Sequence, residues 1–201
     1  MKTKVLFFFF MQLALAYGQN SFKSAAVVQF QNKMNKEFAD AKTSPLTPQD
    51  RATFKSLAFY PANKTFFVKA TLVKTEKEQP FEMKTTTDRK PLYVKYGELS
   101  FVMKGRSFKL NVYRNIELSK KEEYKDYLFL PFSDATSGNE SYIGGRYIDL
   151  RIPAGNTIAI DFNTAYNPYC AYNSQYSCPK VPLENDLDIA IEAGVKSFTT
   201  K

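Results

Sequence analysis

The chain has 201 residues and a formal charge of +8, with 44% hydrophobic and 24% charged residues. This composition is typical of one globular domain and argues against general disorder. The chain has no histidine and only two cysteines, which excludes a Ser-His-Asp triad, a Cys-His pair, histidine metal ligands and a four-thiolate metal site within one chain. The first half is basic and the last part acidic, but no recognised nucleic-acid motif occurs. We therefore expect no nucleic-acid partner and no cofactor.

The N-terminus has the pattern of a secretory signal peptide. Two lysines precede an apolar run over residues 5–16, and small residues stand at the minus-three and minus-one positions of a cleavage site before Gln19. The run is shorter than the roughly 20 residues that a membrane span needs. The sequence thus predicts a signal peptide over 1–18 and a single domain over 19–201, exported to the periplasm or the cell exterior, with no transmembrane span.

The first predicted element of the mature chain is a helix over 24–41. Its apolar residues recur at spacings of three and four and so share one face; they are Val27, Phe30, Met34, Phe38 and Ala41. Pro45 ends this helix, because proline disfavours helical backbone in the preceding residue. Thr47 as N-cap, Pro48 in the first turn and Asp50 near the N-terminus predict a second, short helix. We expect this helical start to cover 24–56.

From Thr65 onward the period changes to two, which is typical of β-strands. Outside the hairpin, strands are predicted over 65–73, 81–85, 127–132, 157–162 and 188–193. Around the Lys104-Gly105 turn, a hairpin would place Phe101 opposite Phe108 and Leu99 opposite Leu110, with both pairs on one face. No βαβ alternation occurs. The predicted fold class is mainly β (α+β), an antiparallel β-sandwich or open barrel with an N-terminal helix.

Residues 134–146 form a loop rich in turn-forming residues. One interpretation is an anion-binding loop, in which backbone N–H groups around Gly144-Gly145 and the guanidinium of Arg146 hold a carboxylate or phosphate. The other is a plain hairpin connection whose arginine pairs with an acid such as Asp149. The sequence leaves both open.

A dense polar stretch follows the strand predicted over 157–162. Asp161 stands where that strand should end, and three asparagines and four tyrosines follow it. Such side chains suit a binding site at a strand end, and they suit equally the hydrogen bonding of an irregular loop's own backbone. The tyrosine rings could stack on a sugar or cover the loop. The ligand-binding candidates of both regions are Gly145, Arg146, Asn163, Asn167, Tyr169 and Asn173.

The two cysteines, Cys170 and Cys178, lie in the same stretch. In an exported protein a disulfide is the default for such a pair, provided that the two Cα atoms lie within about 7 Å. The rival interpretation, a reactive thiol, needs a nearby base or positive charge, and histidine is absent. The sequence therefore favours a disulfide between them.

Three segments, 134–146, 161–173 and 178–185, resemble a family of bacterial and archaeal proteins called domain of unknown function 1684. The pattern DFNTAYNPYCAYN, followed by CPKVPLEN and AGVK, carries the resemblance. The family brings no established activity, cofactor or catalytic residue, so the resemblance implies only that the motif residues belong together in space. The matching positions are Gly145, Arg146, Asp161, Asn163, Asn167, Pro168, Cys170, Asn173, Cys178, Pro179 and Asn185. One departure is Val195, where the family often has glutamate, so this chain would lack any chemistry that depends on that acid.

Two functions follow from these observations. The first is a binding or structural module of the cell envelope, whose partner is a small molecule, an anionic glycan or an envelope protein. The second is a histidine-free hydrolase in which Asp161 works with Asp149 or Glu184 and Arg146 orients an anionic group, since paired carboxylates can supply acid–base catalysis. A calcium site at Asp161 and Asn163 was a third option. Its spacing is not that of an EF-hand loop, so no metal site is expected.

Overall fold

Two helices begin the part of the chain that the computed structural model describes, residues 21–198. Helix α1 spans Ser24–Ala39 and helix α2 spans Pro48–Thr53. Helix α1 ends two residues before the predicted end, because Asp40 turns to extended backbone. Helix α2 is capped as predicted, with the Asp50 N–H donating to Thr47 Oγ1 at 3.1 Å. The predicted signal peptide lies outside the described residues, and within 21–198 no helix is long and apolar enough to cross a bilayer.

The remaining chain forms one curved sheet. In chain order its strands are β1 (Phe67–Lys74), β2 (Phe81–Glu82), β3 (Leu92–Met103), β4 (Arg106–Asn115), β5 (Tyr127–Asp134), β6 (Arg146–Arg151), β7 (Thr157–Asp161) and β8 (Asp186–Leu187). The main order is β6-β5-β4-β3-β1-β7, with β2 beside β3 and β8 parallel to β5; the other pairs are antiparallel. This half-barrel with an N-terminal helix confirms the mainly β, open-barrel prediction. The sandwich alternative is not observed, because the described strands belong to one sheet.

The predicted hairpin is the best example of a local pattern that determines structure. Strands β3 and β4 pair with Phe101 opposite Phe108 and Leu99 opposite Leu110, as predicted. Lys104 and Gly105 have φ values of 49° and 74°, the two positive values that a type I′ turn requires. The four paired side chains are all buried in the main core, so turn chemistry and hydrophobic register agree.

Other strand predictions need correction. The strand predicted over 81–85 shortens to Phe81–Glu82, and the one predicted over 65–73 begins only after a 3₁₀ turn, Lys64–Phe66. Residues 188–193 are not a strand, because their backbone bonds locally and to side chains: the Ile189 and Ala193 N–H groups donate to carbonyls two residues before them, and the Ile191 N–H donates to Asp134 Oδ1 at 3.0 Å. Strand β6 was not among the predicted strands.

Alternation along β5 and β6 sorts their side chains onto two faces. Leu128, Leu130 and Ile148 join the main core on the inner face. Phe129 and Tyr147 lie on the outer face, in a second cluster that also contains Tyr93, Tyr113 and Met83. A third cluster joins α1 to the C-terminal segment; it includes Met34, Phe38, Tyr172 and Val195. The outer face of the sheet is therefore aromatic and partly covered.

Candidate functional site

Arg146 lies in the core and not in an open anion-binding loop. Its side chain is 0% exposed, and its Nη2 donates to Asp134 Oδ2 at 2.7 Å and to the Ile191 carbonyl at 2.9 Å. Its Nη1 donates to the Ala193 carbonyl. The acid that pairs with this arginine is Asp134. The pairing with Asp149 that one sequence interpretation suggested is not observed. All these partners are protein groups, so Arg146 ties β6 to the C-terminal segment and leaves no guanidinium open to an anion.

Gly145, the neighbouring ligand-binding candidate, is required by the backbone. Its φ is +81°, and a Cβ atom there would lie 2.6 Å from the Phe132 carbonyl oxygen. An L-residue is strained at such a φ, and the contact leaves no room for a side chain. The glycine therefore permits the close approach of two chain segments just before β6.

The candidate asparagines bond to backbone groups of other loop segments or of their own turn. Asn163 Oδ1 accepts from the Asn63 N–H at 2.8 Å, and its Nδ2 donates to the Asn63 carbonyl at 3.0 Å. Asn167 Nδ2 donates to the Lys196 carbonyl at 2.9 Å. Both asparagines are 1% exposed, whereas the partly exposed Asn173 accepts from the Gln175 N–H within its own turn. Of the two roles that the sequence left open for these amides, the geometry matches loop stabilisation.

The three candidate carboxylates have different partners. Asp161 Oδ1 accepts from the backbone N–H of Asn163 at 3.0 Å and from its Nδ2 at 2.7 Å, and burial raises the pKa of Asp161. Glu184 Oε1 accepts from the Tyr113 hydroxyl at 3.1 Å. Asp149 accepts from two other tyrosines, and of the three acids it alone lines the cavity described next. The proposed carboxylate pairs therefore do not face each other across this cavity.

A cavity of about 470 Å³ is lined by the outer face of β5 and β6, one side of α1 and the segment 166–179. We call it the tyrosine cavity. Its aromatic residues are Phe30, Phe38, Tyr93, Tyr127, Phe129, Tyr147, Tyr166, Tyr169 and Tyr176. Its charged residues are Lys33, Glu37 and Asp149. Of the sequence candidates, the fold thus brings Tyr169, Asp149 and Cys178 to one place.

Asp149 is held at this cavity by two tyrosine hydroxyls. Its Oδ1 accepts from Tyr127 at 2.8 Å and from Tyr166 at 2.6 Å. Tyr166 reaches β6 through a backbone bridge, in which the N–H groups of Tyr166 and Tyr147 each donate to the other's carbonyl, at 3.0 and 2.9 Å. Asp149 itself is exposed, and within residues 21–198 no cation lies within ion-pair distance of it. The cavity therefore holds a fixed carboxylate without a countercharge.

The phenols around Asp149 stay protonated. Burial raises the pKa of Tyr127, Tyr147 and Tyr166 well above the usual tyrosine range, and the negative charge of Asp149 raises it further at Tyr127 and Tyr166. Neutral phenols keep donating to the carboxylate at physiological pH, while Tyr147 donates to the Pro179 carbonyl. The hydroxyls thus orient the acid without cancelling its charge.

Cys170 and Cys178 are free thiols in the structure. The Cys170 N–H donates to Cys178 Sγ at 3.2 Å, and the Cys178 N–H donates to Thr86 Oγ1 at 3.1 Å. The two residues are neighbours, as a disulfide would require, and the bond itself stays a prediction.

The aromatic residues of β5 and β6, which form the floor of the cavity, were not among the predicted site residues. Tyr127, Phe129 and Tyr147 belong to these strands and not to the motif loops. A signal was present in residues 127–132, because this stretch is apolar at both even and odd positions. A strand with two apolar faces indicates cover on both sides of the sheet, and here the motif loop and α1 supply that cover.

Comparison with known proteins locates these features in a family. A family model described as a protein of unknown function, DUF1684, matches residues 52–196. A solution NMR structure of an uncharacterized protein from Haloarcula marismortui is 32% identical in sequence, with a TM-score of 0.66, over 86% of this chain and 92% of that one. No curated protein matches the chain. The matched residues include β5, β6 and the whole segment 166–179.

Proposed function

Because this chain belongs to the DUF1684 family, whose description names no function, we propose a function from the site: it is a binding protein whose tyrosine cavity holds a small organic cation. The observation that carries the proposal is Asp149, an exposed carboxylate that two phenols hold and no protein cation within residues 21–198 pairs with. Aromatic ring faces attract cations through their quadrupole. A carboxylate inside an aromatic lining adds a full charge of the complementary sign.

The other charges near the cavity balance one another. Lys33 and Glu37 lie one helical turn apart on α1, with Lys33 Nζ 3.8 Å from Glu37 Oε1. Arg151 lies over the ring of Tyr127, but it donates to Asp126 Oδ1 at 2.7 Å and to the Glu123 carbonyl at 2.9 Å. Asp149 therefore supplies the net charge that an incoming ligand would meet.

The size of the cavity suits a small molecule. About 470 Å³ lies within the range of roughly 300–1,000 Å³ typical of small-molecule sites. Apolar lining with a few placed polar groups is also typical of such sites. Quaternary ammonium groups are the ligands that aromatic cages recognise most often, so a trimethylammonium compound is the first probe.

Calorimetry with choline and its neutral carbon analogue, 3,3-dimethylbutan-1-ol, tests the proposal. The two ligands share shape and differ in charge, so we expect the neutral one to bind at least about tenfold more weakly, or 1.4 kcal/mol. Asp149→Asn keeps the acceptor oxygen and removes the charge, and should weaken choline binding by a similar factor. Asp188→Asn is the matched control, because Asp188 is an exposed acid outside this cavity.

Three results would contradict this function: equal binding of the neutral analogue, wild-type affinity in Asp149→Asn, or binding of neutral sugars but not of choline. The last would make the cavity a carbohydrate site. The chain has no tryptophan and 13 tyrosines, so quenching of tyrosine emission supplies an independent readout of occupancy.

We also propose that the protein acts outside the cytoplasm, and the support is the signal-peptide pattern of residues 1–18. Residues 1–18 fused to a reporter enzyme that is active only after export should give activity. The processed full chain should begin at Gln19. An unprocessed chain retained in the cytoplasm would contradict export and leave the cation site untouched.

A further inference from the structure

We propose that Cys170 and Cys178 form a reversible dithiol–disulfide pair, in which the Cys170 thiolate attacks a small disulfide and the Cys178 thiol resolves the adduct. Cys178 also lines the tyrosine cavity, but this proposal does not depend on cation binding and stands on a different set of contacts. It also goes beyond the disulfide that the sequence suggests, because it assigns unequal roles to the two sulfurs.

Backbone contacts hold the two thiols side by side. The Cys170 N–H donates to Cys178 Sγ at 3.2 Å. Cys178 is itself fixed by Thr86, which accepts the Cys178 N–H at 3.1 Å through Oγ1 and donates its own N–H to the Cys178 carbonyl at 2.9 Å. The Cys178 sulfur therefore lies against the backbone of Cys170 at the two ends of one short loop, and bond formation requires no large movement of the chain.

The surroundings of the two sulfurs differ. Cys170 is partly exposed, and its Sγ lies 3.9 Å from the Tyr142 hydroxyl. Cys178 is buried, with 7% of its surface exposed. A reagent in solution thus meets more of Cys170, while Cys178 presents only a small part of its surface, toward the tyrosine cavity, and is adjacent to its partner.

Hydrogen bonding favours the thiolate at Cys170. Hydrogen bonding to the neighbouring Cys178, and then to the Tyr142 hydroxyl, lowers the pKa of Cys170 to about 6 despite its partial burial. The pKa of Cys178 is raised, because its proton is held by Cys170 and because it is buried. A thiolate without a histidine is therefore possible here, since hydroxyl and thiol donors stabilise the negative charge on the sulfur.

The ionisable groups around the pair do not oppose this charge. Arg89 binds the residue before Cys178, donating from Nη2 to the Ser177 carbonyl at 2.7 Å and from Nε to its Oγ at 3.1 Å. Its positive charge acts on Cys178 and favours the loss of the Cys178 proton that the second exchange requires. Tyr142 and Tyr147 are neutral, because burial raises the pKa of each above the usual tyrosine value.

The reaction consists of two exchanges. The Cys170 thiolate attacks one sulfur of a disulfide R–S–S–R, forming Cys170–S–S–R and releasing R–S⁻. The Cys178 thiol then gives up its proton to the released R–S⁻ and attacks the Cys170 sulfur, which forms the Cys170–Cys178 bond and releases a second R–S⁻. The protein dithiol loses two electrons and two protons, and one small disulfide becomes two thiols.

Alkylation of the reduced, full mature protein tests the assignment. Iodoacetamide labelling should be followed at each cysteine by peptide mass spectrometry across pH. We expect Cys170 to reach half its plateau rate near pH 6, where an ordinary thiol with a pKa of about 8.5 would show less than about one hundredth of its own. Cys178 should stay unlabelled in the folded protein.

Oxidised glutathione is the probe for the exchange. Wild type should pass to an internal disulfide that dithiothreitol reduces without denaturant. Cys178→Ser should stop at a glutathione adduct on Cys170, and Cys170→Ser should form no adduct. Circular dichroism checks that both variants fold, and the wild-type pH profile decides the question if one does not.

Three results would overturn the proposal: labelling of Cys170 with the pH profile of an ordinary thiol, no adduct in folded Cys178→Ser, or an internal disulfide that resists dithiothreitol until the chain unfolds. The third would identify a structural disulfide of the kind that the sequence suggests. Adduct formation in Cys170→Ser at the wild-type rate would reverse the two roles and also contradict the assignment.

Discussion

Replacing Arg146 by methionine should destabilise the fold and should not act through a ligand. The guanidinium is completely buried, paired with Asp134 at 2.7 Å and bonded to the carbonyls of Ile191 and Ala193. Methionine fills part of the volume of the arginine side chain. It leaves the buried Asp134 carboxylate and the buried carbonyls of Ile191 and Ala193 without the donor that Arg146 supplies. Breaking a buried pair from one side costs about 3–5 kcal/mol, a large share of the roughly 5–15 kcal/mol by which domains are stable. For a chain of this size that loss lowers the midpoint by roughly 6–20 °C.

Urea unfolding, followed by circular dichroism and tyrosine emission, measures this change. Arg151→Met is the matched control, because Arg151 lies on the same strand with an exposed side chain and an exposed partner, Asp126. It should leave the urea midpoint close to that of wild type, since exposed pairs are screened by solvent. The double variant Arg146→Met with Asp134→Asn should lose less than the sum of its single losses, because the asparagine removes the charge that methionine strands.

Stability of Arg146→Met within about 1 kcal/mol of wild type would refute this reasoning, because the buried network would then contribute little. If such a stable variant had also lost the binding of an anion, the anion-binding loop of the first sequence interpretation would be restored.

The fold makes further predictions that urea midpoints can check. Gly145→Ala should cost more than about 1 kcal/mol, because its φ is +81° and a carbonyl lies 2.6 Å from the new Cβ, whereas Gly155→Ala meets open space and should be neutral. Asn163→Ala removes the buried amide that accepts from the Asn63 N–H and should cost about 1–3 kcal/mol in all, because the Asn63 carbonyl keeps the Phe66 N–H as a donor. The exposed turn at Asn173 should tolerate the change to alanine. Burial, and then the hydrogen bond to Glu140, raises the pKa of Tyr60 to about 12. The stability that protonated Tyr60 contributes is therefore fully present below the ordinary tyrosine pKa of about 10 and is lost as the pH rises above that value. Tyr60→Phe should lack this part of the loss of stability at alkaline pH.

Local patterns allowed much of the fold to be predicted. The β3–β4 hairpin was predictable because its turn residues and its apolar register act within a few residues of each other. The cap of α2 was predictable because Thr47 and Asp50 are neighbours in the chain. The mainly β architecture was predictable from the period-two alternation of apolar and polar residues after Thr65. In each case the interaction that decides the structure is short-range in sequence, so the residues themselves carry it.

The candidate site was predictable only in part. The tyrosine-rich motif pointed to the segment that covers the cavity, and it contributes Tyr166, Tyr169 and Tyr176. The floor comes from β5 and β6, which present aromatic side chains on the face opposite the core. Alternation shows that such a strand has two apolar faces. It does not show which segment covers the second face, because that contact is made between elements distant in sequence.

The class of elements, the hairpin register and the location of the motif are all predictable from the order of the residues. The roles of the polar residues within the motif follow only from the way the chain packs. A Gly-Gly-Arg stretch has the same local sequence pattern whether its arginine is exposed to solvent or buried in the core. Arg146 is buried because carbonyls 45 and 47 residues away converge on it. Asp149, which the sequence offered as the partner of that arginine, has no cation partner among residues 21–198 and faces the tyrosine cavity, where Tyr127 and Tyr166 donate to it. Charge pairing in a buried site depends on which segments meet, and this chain's segments meet only once the sheet has formed.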